Sequence, residues 1–192
     1  MTQGSFVYPE YYMEFKFAQE EAMKRAREVI DAVFTEFEQR FGRRYEKVSA
    51  FMAEDADVLL LTMGSMSGTA REAVRRMRER GKKVGLLKLT VLRPFPFDEI
   101  RKKSKNAQVL AVVDRNVSLG FGGAVFGEVA TALINEPQRP KLLNFIVGLG
   151  GRDVVLEDFY QMVEKAEMVL EGKEVERVNW VNVDAEAVRG GG

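Results

Sequence analysis

The stretch Val58-Leu59-Leu60-Leu61-Thr62-Met63-Gly64-Ser65-Met66-Ser67-Gly68 decides the fold. A nearly unbroken apolar run of strand length, breaking into Gly-Ser-Met-Ser-Gly, reads as a strand buried on both faces that feeds straight into a turn and a helix. The same arrangement recurs twice. Residues 109–113 lead to Ser118-Leu119-Gly120-Phe121-Gly122-Gly123, and residues 142–147 lead to Gly148-Leu149-Gly150-Gly151-Arg152-Asp153. If the three runs are parallel strands, all three glycine turns emerge at one carboxyl edge, where open α/β sheets place ligands or partners.

Working outward, the pattern alternates. Helices are expected over 67–80, 97–103, 124–134 and 157–170, with a further strand over 84–89. Strands separated by helices of about ten residues imply right-handed crossovers and an α/β fold: a mostly parallel sheet of about five strands with helices on both faces. Upstream, Ala22, Ala26, Val29/Ile30, Val33, Phe37 and Phe41 recur at helical period through 13–41, a long N-terminal amphipathic helix stopped by Gly42. That helix is either an outer layer of the sheet or a connection to something upstream. An acidic, irregular stretch through Glu54-Asp55 follows it. The expected organisation is a helical region over 1–47, an α/β domain over 48–171 and an extension over 172–192. The extension holds a strand-like segment over 175–183 and ends in Gly190-Gly191-Gly192, where mobility is expected.

Composition narrows function. The 192 residues, 46% of them hydrophobic, suffice for one good core. Twenty-nine basic and 29 acidic residues balance, so no global field favours nucleic acid or an anionic membrane. No apolar run approaches the roughly 20 residues of a membrane span, and no leader pattern opens the chain; a cytoplasmic protein is expected. With no cysteine and no histidine, thiolate nucleophiles, cysteine-ligated clusters and the commonest general base are excluded within the chain.

Each glycine turn has a ligand reading and a structural one. Gly64 and Ser65 open a helix whose N-terminus could cradle a phosphate, although Gly68 is followed by Thr69 rather than the Lys of a P-loop. A capping box with Thr69 as N-cap and Glu72 three residues on is the preferred alternative. Asp114, Arg115, Asn116, Ser118 and Gly120 suit close approach by a ligand or subunit, or else internal ion pairs and a sharp turn. Arg152, after Gly150 and Gly151, could grip a carboxylate or phosphate, or pair with Asp153 or a neighbouring loop. The basic cluster Arg71, Arg75, Arg76, Arg78, Arg80, Lys82 and Lys83 reads as a solvated face with Glu72–Arg76 and Glu79–Lys83 pairs, or as a dock for an acidic partner. Arg93-Pro94-Phe95-Pro96-Phe97 fixes an extended exit from the second strand. No spacing assembles a nucleophile, a base and an oxyanion site, so no catalytic residue and no metal ligand is assigned.

The ordered motifs Glu54-Asp55-Ala56-Asp57, Gly64-Ser65, Arg93-Pro94-Phe95-Pro96, Asp114-Arg115-Asn116-Val117-Ser118-x-Gly120 and Ile146-Val147-Gly148-Leu149-Gly150-Gly151-Arg152-Asp153 closely resemble the C-terminal part of the α subunit of pyruvate (2-oxoacid):ferredoxin oxidoreductases. The likeness runs from about Tyr8 to Leu170. Tyr11–Phe15 and Phe37–Arg43 resemble the helical lead-in that the family places before this domain. The resemblance implies a fold like the transketolase C-terminal domain. It also implies CoA-dependent oxidative decarboxylation of a 2-oxoacid, run by thiamine diphosphate, Mg²⁺ and iron–sulfur clusters held on other domains or subunits, with ferredoxin accepting electrons. On that reading the chain carries no cofactor itself, is inactive alone and is expected to be oligomeric. It would be a split subunit or an excised domain. Gly64, Ser65, Asp114–Gly123 and Gly148–Asp153 become candidate contacts to neighbouring domains or to CoA. Two alternatives stand beside it: a stand-alone module binding a phosphate-bearing ligand at the glycine-loop edge, and a transketolase or deoxyxylulose-phosphate synthase domain, which the Asp114 and Gly148 motifs fit less well.

Overall fold

A computed structural model describes residues 6–189; the closing Gly190-Gly191-Gly192 lies outside the described residues. The chain divides into two compact units, residues 6–46 with 91–95, and residues 47–90 with 96–189.

The first unit is dominated by α1 (Pro9–Phe41), four residues longer at its start than the periodicity predicts because Pro9 takes the first helical turn, where its missing N–H costs nothing. Gly42 ends the helix in the left-handed region (φ 65°), donating its N–H to Glu38 O at 2.8 Å. Phe37 packs on Phe41 and on Tyr45, with ring centres 4.6 and 5.4 Å apart. No residue of α1 is fully buried.

The second unit is a six-stranded sheet in the order β1-β3-β2-β4-β5-β6. Its members are β1 (Val48–Phe51), β2 (Val58–Met63), β3 (Val84–Leu89), β4 (Val109–Asp114), β5 (Lys141–Ile146) and β6 (Val178–Trp180). All neighbours run parallel except the edge pair β1 and β3. The strand count corrects the sequence expectation of about five. Val48-Ser49-Ala50-Phe51 reads as irregular because it is only four residues long, yet it pairs antiparallel with β3 from Val48↔Leu89 to Phe51↔Leu86. The strand-like segment over 175–183 shrinks to three residues at the opposite edge.

Leu59, Leu60 and Leu61 of β2 and Leu110, Ala111 and Val112 of β4 are fully covered, as strands of a parallel sheet sandwiched between helices must be. Helices α2 (Met66–Glu79) and α5 (Leu156–Leu170) lie side by side on one face, where Ala70, Val74 and Met77 meet Phe159, Met162 and Ala166 in one core. Helices α3 (Phe97–Ser104) and α4 (Ala124–Leu133) pack together, with Ile100, Val129 and Leu133 buried. A short α6 (Ala185–Arg189) closes the described chain. Arg78 ties α2 to the β1–β2 turn: its guanidinium donates to both Asp55 carboxylate oxygens at 2.8 Å and to the carbonyls of Met52 and Val84 at 2.6 Å. Lys82 reaches from the end of α2 to Glu167 on α5.

Candidate functional site at the carboxyl edge of the sheet

Three of the helices that begin at the carboxyl edge, α2, α4 and α5, handle the unpaired N–H groups of their first turns differently. At α4 all four are taken by side chains. Asn144 Oδ1 accepts from Gly123 N (2.8 Å), Asn116 Oδ1 from Ala124 N (2.8 Å), Asp114 Oδ1 from Val125 N (3.0 Å) and Asp114 Oδ2 from Phe126 N (3.1 Å). The cap is itself braced. Asn144 Nδ2 donates to Asp114 Oδ2 (2.9 Å) and Val112 O (3.1 Å), and Asn116 Nδ2 donates to Asp114 Oδ1 (3.2 Å).

Asp114 is 1% exposed. Burial pushes its carboxyl above the usual carboxylate range, while the Val125 and Phe126 N–H groups, Asn144 and Asn116 pull it back toward the ionised form. The positive end of α4 is thus met by a carboxylate of the protein's own. Gly123 is required at this approach, since a Cβ there would stand 2.1 Å from the Asp114 carboxyl group.

The ion-pair reading of Asp114 with Arg115 is corrected. Asp114 faces inward to the helix, and Arg115 donates to Gly148 O at 3.2 and 3.4 Å, linking this loop to the next. Between them Ser118 and Gly122 exchange backbone bonds at 2.8 and 3.0 Å, so Ser118 and Gly120 belong to a small closed hairpin that holds Leu119 84% exposed.

The α2 end is open by comparison. The helix begins at Met66, so Thr69 is not its cap; this corrects the capping-box expectation. The N-cap is Ser65, whose side chain makes no capping bond. Ser67 and Gly68 donate only back to Gly64 O and Ser65 O, at 3.3 and 3.2 Å. Glu72, rather than reaching back to the cap, is held by Arg75 and Arg76, which bring its carboxyl down to about 2. Arg75 also engages Glu79, the residue expected to pair with Lys83. A groove of about 330 Å³ runs from this end to β1, lined by Gly64, Ser65, Gly68, Arg71 and Lys88 among others. Arg71 stacks over the Phe51 ring at 4.1 Å.

At the third turn Gly148, Gly150 and Gly151 all take positive φ. Arg152 donates to Asn182 O, beyond β6, and not to Asp153. With Gly148, Leu149, Trp180 and Val183 it lines a cleft of about 370 Å³. The α5 cap is Asp158 Oδ2, which accepts from Val155 N at 2.9 Å.

The sequence reading missed Asn144 and the Trp180–Asp184 side of this cleft. The available signal for Asn144 was an amide in the middle of the apolar run Leu142-Leu143-Asn144-Phe145-Ile146, which a buried strand tolerates only with its hydrogen bonds filled. Among the described residues no group of three or more acidic side chains gathers as a metal site, and the chain has no Cys or His. The donors present therefore do not fit an iron–sulfur cluster, and no step of a reaction is derived through one.

The family model of the pyruvate:ferredoxin oxidoreductase core domain II matches residues 56–159, the body of this sheet. The chain belongs to that family. It is 47% identical over 190 residues to the pyruvate synthase subunit PorA of Pyrococcus furiosus, covering 98% of this chain and 48% of that protein. The chain thus spans about half the length of the curated relatives it matches.

Two solved structures share the fold. One is the 2-oxoglutarate:ferredoxin oxidoreductase from Magnetococcus marinus with 2-oxoglutarate, coenzyme A and succinyl-CoA bound (23% identity, TM-score 0.50, 77% of this chain and 23% of that one). The other is a split-gene transketolase, an inactive β4 tetramer (18% identity, TM-score 0.51, 65% and 43%). The transketolase-like α/β fold expected of core domain II is the one observed. No helix among the described residues is long and apolar enough to cross a membrane.

Proposed function

We propose that this chain supplies core domain II to a 2-oxoacid:ferredoxin oxidoreductase, with pyruvate as the 2-oxoacid, and that it supports assembly and the shape of the active-site surroundings without holding a cofactor. The observation that carries the reading is the match of core domain II to the sheet, together with 47% identity to a pyruvate synthase subunit across 98% of the chain. Thiamine diphosphate, Mg²⁺ and iron–sulfur clusters are assigned to partner domains or subunits of a cytoplasmic complex, and CoA and ferredoxin meet the chain through that complex. Residues 1–47 are the lead-in to those partners, 48–171 the shared α/β body and 172–192 an extension.

Within the body, the edge formed by Gly64, Ser65, Asp114, Arg115, Asn116, Ser118, Gly120, Gly150, Gly151, Arg152 and Asp153 is the contact side. The geometry divides the work. Asp114 and Asn116 are spent on capping α4, so they position the Ser118–Gly122 hairpin rather than touch a ligand. Gly64, Ser65 and the loop at Arg152 are left to face a neighbour. A second reading, a stand-alone module for a phosphate-bearing ligand, is favoured by the groove beside α2 with Arg71 and Lys88 in its wall.

Gentle affinity purification of the tagged chain from its native host separates the two. The oxidoreductase reading expects co-purifying chains that bring iron, acid-labile sulfide and thiamine diphosphate, with pyruvate- and CoA-dependent reduction of a ferredoxin or dye. Recovery of the chain alone, saturably binding inorganic phosphate, contradicts it and favours the module. A panel of 2-oxoacids on the recovered complex tests the choice of pyruvate.

A further inference from the structure

We infer that residues 175–182 form a positioning strap: they seat Asn144, and through it the α4 cap and the Ser118–Gly122 hairpin, while Asn179 bolts them to α5. Asn144 is the residue on which the cap turns, accepting from Gly123 N and donating to Asp114 Oδ2 and Val112 O. Its backbone is held in turn by β6. Asn144 N donates to Arg177 O at 2.8 Å, and Val181 N donates to Ile146 O at 3.0 Å. Strand β4 pairs with β5 along Lys141 to Ile146, but β6 pairs with it from Asn144 to Ile146, so the strap braces the half of β5 that carries the cap and reaches the carboxyl edge.

Three residues of ladder at the edge of a sheet hold little by themselves. The side chains supply the rest, and because successive residues of a strand point to opposite faces they grip both layers. On the α5 face, Asn179 is 5% exposed, accepting from Lys165 Nζ at 3.1 Å and donating to Glu176 O at 2.6 Å. Val181 is buried in the core shared by α2 and α5, and Val175 packs against it. On the α4 face, Val178 stands opposite Asn144 and so close to the hairpin that a Cβ at Gly122 would lie 3.2 Å from its methyl group. Arg177 reaches Phe121 O at 3.5 Å and stands over the Phe126 ring in the first turn of α4. At the far end, Arg152 donates to Asn182 O and ties the strap to the third glycine turn. One segment thus links α5, the α4 cap, the hairpin and that turn. Every contact named lies within this chain, so the strap stands or falls apart from the oxidoreductase reading.

Site-resolved hydrogen exchange of the full chain, with the bolt cut from either side, tests the strap. Asn179→Ala cuts it from β6, and Lys165→Met cuts it from α5 at a half-buried position where the fold is expected to stand. The reporters are the Ser118 and Gly122 amides, which close the hairpin, and the Gly123 amide, which bonds to Asn144. Both variants are expected to speed exchange at these three about tenfold or more, and to leave Val74 and Met77 of α2 at the parent rates. The double variant is expected to add little to Asn179→Ala, since the two changes cut one bond. Parent rates at Ser118, Gly122 and Gly123 in either variant overturn the inference. So does an equal rise at Val74 and Met77, the mark of general loosening rather than of a strap released from the cap.

Discussion

Helices α4 and α2 start at the same edge of the same sheet and solve the same problem in opposite ways. The first four N–H groups of α4 are consumed by three side chains, Asp114 at the end of β4, Asn116 in the loop after it and Asn144 within β5. The first turn of α2 has no side-chain cap: the Ser67 and Gly68 N–H groups donate to the carbonyls of Gly64 and Ser65 at 3.3 and 3.2 Å, and only the Ser67 hydroxyl is tied to the sheet, accepting from Thr62 Oγ1 at 2.9 Å. Similar glycine-rich sequences therefore hide different duties. A motif rich in charged and amide groups is closed architecture, while the plainer Gly64-Ser65 turn borders an open groove. Polar density in a loop is a poor guide to where a ligand sits when a helix N-terminus is close enough to absorb it.

Breaking the closed end should give the largest effect. Asp114→Ala strands two buried N–H groups beside Asn144, and Gly123→Ala drives a methyl group into the carboxylate. Each is expected to cost about 3 kcal/mol or more in urea denaturation, as buried groups deprived of a charged partner do. A loss under about 1 kcal/mol would mean that the network is not a cap. Asn144→Leu keeps the volume but leaves Gly123 N without its acceptor, and about 2 kcal/mol is expected in the same assay. At the open end, Ser65→Ala removes no capping bond, so stability should stay within about 0.5 kcal/mol of the parent.

The smallest effect is electrostatic. The Glu72 carboxyl is lowered from 4.5 to about 2 by hydrogen bonds from Arg75 and Arg76. A depressed carboxylate contributes stability that is present above the unfolded value and is lost as pH falls through the folded one. The melting-temperature gap between the parent and Glu72→Gln should therefore be widest above 4.5 and close as pH falls toward about 2. A gap constant across that range would mean the pairs contribute nothing, as exposed pairs can.

The alternation of β2 to α5 was legible because unbroken apolar runs and helical periods are long signals; Val84–Leu89 falls where the pattern puts it. Strand β1 was not legible. Four residues carry too little periodicity, and its pairing with β3 is a tertiary fact. The cap at Thr69 was misread because a Ser/Thr-x-x-Glu spacing also occurs inside helices, where here Arg75 and Arg76 claim the Glu. At the candidate site, Asp114 and Asn116 could be found from their place at a strand end, but their task depends on Asn144, thirty residues on in a neighbouring strand.

Hydrogen exchange of the chain, alone and in the oxidoreductase complex proposed for it, tests the contrast between the two helix ends most directly. The account predicts that the amides of Gly123 to Phe126 exchange slowly even in the isolated chain and do not change on assembly. It predicts that those of Ser65 to Gly68 exchange fast in isolation and slow when partners bind. Fast exchange at Gly123–Phe126 in the isolated chain, followed by protection on assembly, would make the α4 end the contact and contradict it.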